Sequence, residues 1–280
     1  MNARGLSRHL LQLIVIVLLG GFAAAALVRY SPGFDSIPED LDPSISPEVL
    51  RALHAKNAVD NPLPVFYLRY LRGTLTGGFG ISATLNQPVA DLLRRRAPVT
   101  ARLVALGTAG GILLGALFAW MAVWTRRVFL EATAYSISGL LLAVPPAVLG
   151  LAFFFTEAPL ALALALALFP RLFGTIRALL DDRAASPALL AARARGVRPM
   201  AIALRYVIAP SLRQILALVG VALVLAFGSA IPIEAICGIP GIGALALQAA
   251  IGRDMPLICA LALIITFFVT LAHSAGELMA

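Results

Sequence analysis

Residues 10–28 read LLQLIVIVLLGGFAAAALV, nineteen residues without a single charge, and this run decides the class of fold. About 20 apolar helical residues cross the hydrocarbon core of a bilayer. A signal peptide is the alternative interpretation, because Ala23-Ala24-Ala25 resembles a cleavage site. The length of the run, preceded by Arg4 and Arg8, favours a retained membrane helix with its N-terminus in the cytoplasm.

The composition of the whole chain points the same way. Of its 280 residues, 60% are hydrophobic and 13% are charged, and the mean hydropathy is +0.93. A soluble domain is nearer half apolar and carries more charge. The sequence therefore predicts an all-α integral membrane protein, and its length leaves room for six transmembrane helices and one large loop.

The remaining apolar runs predict five further spans. They lie at about 99–123, 132–155, 160–173, 215–233 and 257–271. Residues 1–98 then comprise the first helix and a long periplasmic loop, and residues 99–280 form a five-helix core with a cytoplasmic loop at about 181–210. Pro145-Pro146 predicts a kink in the third span, which either borders a translocation path or is purely structural.

The polar region between the first two spans is predicted to hold short helices. Ser46 and Pro47 open one, and Tyr67-Leu68 together with Tyr70-Leu71 indicates a second that lies at the membrane interface. Thr76–Gly80, which reads TGGFG, is predicted to form a turn.

The formal net charge of +8 reflects an excess of arginine. Nucleic-acid binding is the alternative explanation, but basic residues also mark the cytoplasmic loops of membrane proteins. Most of the arginines fall in segments predicted to lie inside, which places both termini in the cytoplasm. Arg94-Arg95-Arg96 does not fit, and we interpret it as part of a short interfacial helix with snorkelling side chains.

No catalytic or metal-binding constellation is evident. His9, His54 and His273 are scattered, and the sequence has no phosphate-binding GxxxxGK[ST] loop. Cys237 and Cys259 are interpreted as small apolar side chains, with a disulfide as the alternative. We therefore expect no catalytic residues, metal or cofactor in this chain, and any ATP must be bound by another protein.

Residues 186–196, SPALLAARARG, have the features of a short helix with a defined start and end. Ser186 is a typical N-cap, Pro187 a typical first residue, and Gly196 a typical terminating residue. A second helix is predicted from about Pro199 to Ile208, ending before Pro210. The bare alanine surface of the first helix fits either a partner's groove or an ordinary exposed face.

The same stretch resembles the EAA loop of the permeases of binding-protein-dependent ABC importers, in the dipeptide, oligopeptide and nickel branch. Ala191, Ala192, Gly196 and Pro210 match the spacing of that loop, whose usual charged first residue is Leu190 here. Ala192–Gly196 reads ARARG, close to the ARAKG of the branch. The resemblance implies an ATPase-docking loop, with Ala192 among the small residues that meet the ATPase. Its residues are Leu189, Leu190, Ala191, Ala192, Arg193, Ala194, Arg195, Gly196 and Pro210.

Other motifs of the branch follow in the same order along the chain. Ser31–Gly33, Asn61–Tyr70 and Gly77–Ser82 resemble segments of the first loop, and Glu234–Gly243 and Arg253–Pro256 resemble segments near the last span. The resemblance implies that these last two segments lie at the external mouth of the pathway, with Glu234–Gly243 as a non-helical turn. The residues concerned are Glu234, Pro240, Gly241, Gly243, Asp254 and Pro256.

The resemblance implies the fold of a type I ABC importer permease in the bacterial inner membrane. It also implies a second homologous permease, two cytoplasmic ATPase subunits, an external solute-binding protein, and peptides or a related small solute as cargo. A secondary transporter or channel and an intramembrane enzyme are the alternatives. Both require ionisable groups inside the spans, of which the sequence shows few.

Overall fold

The computed structural model describes residues 3–31, 62–125 and 128–279, and these residues are almost entirely helical. The helix predicted from Ser46, and the residues Pro32, Gly33 and Asn61 of the branch motifs, lie outside the described residues. The helices are α1 (Ala3–Arg29), α2 (Leu63–Leu75), α3 (Val89–Thr125), α4 (Val128–Ala143), α5 (Pro146–Phe155), α6 (Leu160–Ala184), α7 (Pro187–Ala194), α8 (Pro199–Ile202), a π-helix (Ala203–Ile208), α9 (Ala209–Ile236), α10 (Ile242–Ile251) and α11 (Met255–Met279).

Five of these helices, α1, α3, α6, α9 and α11, are long and apolar enough to cross a membrane. The pair α4–α5 also qualifies if it is one broken span, which makes six. The two parts of that pair are bent by 96° at Val144 and Pro145. The predicted kink at Pro145-Pro146 is therefore confirmed. Proline has no backbone N–H, so these two residues cannot donate hydrogen bonds to the last turn of α4, and the helix breaks there.

One compact unit contains the described residues up to Val99 together with Pro240–Thr270. In it, α1 lies close to α2 and α11. A Cβ on Gly21 would lie 2.6 Å from the Tyr67 hydroxyl, and one on Gly20 would lie 2.5 Å from Thr266 Cγ2. The helix predicted from Tyr67–Leu71 is present as α2, and its Tyr67 is buried, with its hydroxyl donating to the Leu18 carbonyl at 2.7 Å.

The second unit contains Thr100–Ile239 and the residues from Leu271 onward. Its core is formed by α3, α6, α7 and α9, with Phe173, Leu164 and Leu172 among the largest buried side chains. Glycines of α3 permit close contact with α6, because a Cβ on Gly107 would lie 2.5 Å from Leu164 Cδ2. The packing role predicted for these glycines is confirmed.

Three boundaries differ from the sequence-based predictions. The helix that contains the second predicted span begins at Val89 rather than 99, so Arg94–Arg96 belong to the first turns of α3 instead of a separate short helix. The helix that contains the fourth predicted span runs on to Ala184 instead of ending near 173. The helix predicted to end at Ile208 instead continues directly into α9, and Pro210 lies in the first turn of α9, where it needs no N–H partner.

Candidate functional site

The predicted docking loop is a single capped helix, α7. Its start is capped by Ser186, whose hydroxyl accepts a hydrogen bond from the Leu189 amide at 3.4 Å. At its end Gly196 has φ +72°, and the Val197 amide donates to the Ala192 carbonyl at 3.2 Å. This pattern is a Schellman motif, which satisfies the last carbonyls of a helix. The predicted cap and the predicted left-handed glycine are both confirmed.

One face of α7 is fixed to the protein and the other is open. Leu189 and Ala192 are 1% and 0% exposed and belong to the same core cluster as Leu180 and Val207. Leu190 is 58% exposed, and Ala191, Ala194 and Arg195 are also exposed. The expectation that Ala192 meets a partner is therefore wrong, since its small side chain serves packing within this chain. Ala191 and Ala194 provide the small outward surface instead.

The chain continues from α7 into the long helix α9 without an extended segment after Arg198. Residues Pro199–Ile236 are helical throughout, with a π-helical turn over Ala203–Ile208. Pro210 is exposed. A π-helical segment inside an α-helix is an irregularity that often accompanies functional sites. The segment after Arg198 is therefore joined to α9 by continuous helix, whereas residues 195–198 separate it from α7.

An ion cluster centred on the buried Arg177 lies beside α7 and was not found by sequence reasoning. Arg177 of α6 is 8% exposed, and its Nη2 donates to Glu131 Oε1 of α4 at 3.0 Å. Its Nη1 pairs with Asp181, one turn further along α6. Only the Arg177–Asp181 pair left a signal in the sequence, since oppositely charged residues four apart share a helix face. Arg177 was assigned to the cytoplasmic segment, whereas α6 carries it within a candidate span.

A second polar cluster joins two of the branch motifs. Asp254 is fully buried, and its Oδ2 accepts hydrogen bonds from Ser82 Oγ at 2.5 Å, Thr84 Oγ1 at 2.9 Å and the Thr84 amide at 3.1 Å. Its Oδ1 accepts the Leu257 amide at 3.1 Å, which caps α11. We call Asp254, Ser82 and Thr84 the Asp254 clasp. It ties residues 172 positions apart in the sequence.

The other residues predicted for the external mouth occupy several elements. The prediction that Glu234–Gly243 is non-helical is wrong at both ends, because α9 runs to Ile236 and α10 begins at Ile242. Glu234 and Gly243 are buried in those helices, and Pro240 is exposed in the turn between them. Gly241 is the N-cap residue of α10, and its φ of −105° is open to any residue. Pro256 is in the first turn of α11.

Within the part of the chain that the structure describes, no group of three or more His, Cys, Asp or Glu side chains could hold a metal ion. Cys237 and Cys259 are both buried and free, so the disulfide considered as an alternative is absent.

The fold and the capped loop place the chain in a known class. Residues 111–279 match the family described as binding-protein-dependent transport system inner membrane component. The chain is 25% identical to a probable peptide ABC transporter permease protein of Sinorhizobium fredii, covering 90% of this chain and 88% of the relative. It is 29% identical to the dipeptide transport system permease protein of Lactococcus lactis, covering 90% and 86%.

Two further comparisons agree. The chain is 26% identical to the oligopeptide transport system permease protein of Escherichia coli strain K12, covering 85% of this chain and 84% of that protein. A crystal structure of an amino acid ABC transporter with histidines superposes with a TM-score of 0.53 at 19% identity, covering 68% of this chain and 92% of that one. This last similarity shows the fold alone.

The chain is thus a multi-pass inner-membrane subunit of a transporter. It belongs to the family of binding-protein-dependent transport system inner membrane components and is a permease subunit of an ABC importer. Permeases of this family are not enzymes, because separate subunits hydrolyse the ATP. The importer reading is confirmed, and the alternatives of a secondary transporter, a channel or an intramembrane enzyme are set aside.

Proposed function

We propose that this chain lines the translocation pathway for peptides and pairs with a second, homologous permease. Two cytoplasmic ATPase subunits and an external solute-binding protein complete the proposed importer. The cargo is inferred from relatives named for peptide, dipeptide and oligopeptide transport. In this arrangement the chain binds no cofactor, and the ATP lies in the partner subunits.

The observation that carries the proposal is the geometry of α7. It is a helix of 8 residues whose two ends are closed by its own caps and whose inner face is fixed by Leu189 and Ala192. Its outer face presents Ala191 and Ala194, whose small side chains let another protein approach closely. A force applied to that face is transferred to the core, because α7 cannot slide without moving Leu189.

The chemistry of the outer face defines the partner's groove. Leu190 is exposed where the family's loop usually has a charged residue, so we expect an apolar contact at this position. Arg195 and Arg198, which follow the end of α7, are also exposed. A groove that suits this loop has an apolar floor opposite Leu190 and acidic side chains opposite the two arginines.

The proposed topology places both termini and α7 in the cytoplasm and the Asp254 clasp towards the external face. The arginine distribution supports it. A reporter enzyme that is active only in the cytoplasm, fused after Ala280, is expected to be active. Activity of a periplasm-specific reporter at the same position would contradict the topology.

The experiment that tests docking uses two substitutions of one residue, Ala191. Ala191→Trp adds a bulky side chain to the exposed face, and Ala191→Ser is its matched control. Each variant is purified with its ATPase subunits, and the bound ATPase and the uptake of a labelled di- to pentapeptide pool are measured. We expect Ala191→Trp to lose bound ATPase and uptake while its membrane level stays constant. ATPase retention equal to that of Ala191→Ser would refute docking through this face.

A further inference from the structure

We propose that the Glu131–Arg177–Asp181 cluster is a mechanical tie that makes the start of α4 move together with α6 and α7 during the transport cycle. Arg177 is then a positioning residue that passes movement of the docking helix to the broken span α4–α5. The inference rests on the proposed function, because it takes α7 as the element on which the ATPase acts.

The geometry of the cluster favours a firm connection. Arg177 is only 8% exposed, and its guanidinium contacts a carboxylate on each of two helices, Glu131 of α4 and Asp181 of α6. Arginine presents its donors in a rigid plane, so the hydrogen bond from Nη2 fixes the direction of the Glu131 carboxylate as well as its distance, while Asp181 adds an ion pair. A buried guanidinium that lost one carboxylate would be left with poorly satisfied donors, which opposes separation of α4 from α6.

The position of the cluster along the chain connects it to α7. Arg177 and Asp181 lie in the last two turns of α6, and only Ala185 and Ser186 separate α6 from α7. Leu180 and Leu189 belong to one buried cluster, so α6 and α7 are packed as well as linked. A displacement of α7 must therefore displace the end of α6 that carries Arg177.

Glu131 connects the cluster to the bend between α4 and α5. Glu131 lies in the first turn of α4, which runs to Ala143 just before the 96° break. Further along the same pair of helices, the ring of Tyr135 packs on Phe173 with centroids 5.3 Å apart. This aromatic contact holds α4 to α6 at Tyr135. Without the ion pair, the first turn of α4 can move relative to α6 while the Tyr135–Phe173 contact stays in place.

The space around the cluster makes such a movement possible. A cavity of about 360 Å³ is lined by Glu131, Arg177 and Asp181 together with Trp120, Leu189 and Val207. The cavity borders Glu131 in the first turn of α4, whereas Ala134, one turn further on, is buried in the same core cluster as Phe173 of α6. The ion pair to Glu131 then controls whether the first turn of α4 follows α6.

The test measures the separation of α4 and α6 directly. Spin labels are placed at Ala132→Cys and Ala178→Cys, both exposed positions next to the ion pair, in a chain whose native cysteines are replaced by alanine. The complex with its ATPase subunits is studied by dipolar EPR without nucleotide and after trapping with ATP and vanadate. The backgrounds are native, Glu131→Gln, and Asp182→Asn, a matched removal of an exposed carboxylate next to Asp181.

The tie predicts equal label distances in the two nucleotide states for the native chain and for Asp182→Asn. In Glu131→Gln the ratio of tied to untied complexes is expected to fall about tenfold, the factor that corresponds to about 1.4 kcal/mol. The distance distribution of that variant should therefore broaden on trapping. If the ion pair only stabilises the fold, the label distance in Glu131→Gln should not depend on nucleotide.

Two results overturn the inference. One is a Glu131→Gln complex that keeps the native distance in both states, and the other is a native complex whose distance itself changes with nucleotide. Failure of the docking proposal gives a different signature, because the ATPase then does not depend on α7 and Ala191→Trp complexes purify intact. A tie that fails while Ala191→Trp releases the ATPase contradicts only the mechanical inference.

Discussion

Replacement of Gly196 tests whether the end of α7 requires the left-handed backbone conformation of this residue rather than the space that glycine leaves. Gly196 has φ +72°, and a Cβ built on it meets nothing within 4 Å, so space is not what requires glycine here. The left-handed conformation costs an ordinary residue about 1–2 kcal/mol, whereas asparagine visits it more readily. A loss of 1–2 kcal/mol lowers the ratio of formed to unformed loop by about 5–30-fold.

We therefore expect Gly196→Val to uncouple the importer and Gly196→Asn to resemble the native chain. The Schellman hydrogen bond from Val197 to Ala192 would be the first to open, and the exposed face of α7 would lose its fixed direction. Each variant is purified from membranes with its ATPase subunits, and bound ATPase is measured per permease. Equal ATPase binding by Gly196→Val and Gly196→Asn, at equal permease levels, would refute the conformational argument.

Two further predictions concern the other unit. Asp254→Ala removes the cap of α11 and the acceptor shared by Ser82 and Thr84, and should destabilise the protein by about 3–5 kcal/mol; unchanged thermal unfolding in detergent would contradict the role of the clasp. Tyr67→Phe removes the donor to the Leu18 carbonyl and should cost about 1 kcal/mol. Burial raises the pKa of Tyr67 to about 12, so this donor is protonated at every pH used for purification, and the loss should be equal at pH 6 and pH 9.

The sequence carried the local features of the docking loop because they depend on neighbouring residues. Ser186, Pro187 and Gly196 specify the ends of α7 through hydrogen bonds within one or two turns. Which face of that helix is buried depends on Leu180 and Val207, which belong to other elements. Ala191 and Ala192 are chemically the same residue, so no local pattern could assign one to the core and the other to the surface.

The two polar clusters differ in what the sequence could reveal. Asp254 and Ser82 both lie in motifs of the family, but their contact spans 172 positions and needs the fold. Arg177 and Glu131 lie in no recognised motif and meet only because α4 packs on α6. Arg94 and Pro210 were taken to lie outside the long helices, but both lie in the first turns of one. Charged residues and prolines are tolerated in the first turns of a helix, so neither residue marks a helix boundary.

Cross-linking from α7 tests the central claim most directly. Leu190→Cys places a thiol on the exposed face of α7, and Phe155→Cys places one on an exposed residue at the end of α5. Each variant is treated in membranes with a short bifunctional thiol–photoreactive reagent, and the products are identified by mass spectrometry. If α7 docks on the ATPase, Leu190→Cys gives a permease–ATPase product and Phe155→Cys does not. A Leu190→Cys chain that joins only lipid or other permease chains, in a complex that retains its ATPase, would contradict the account.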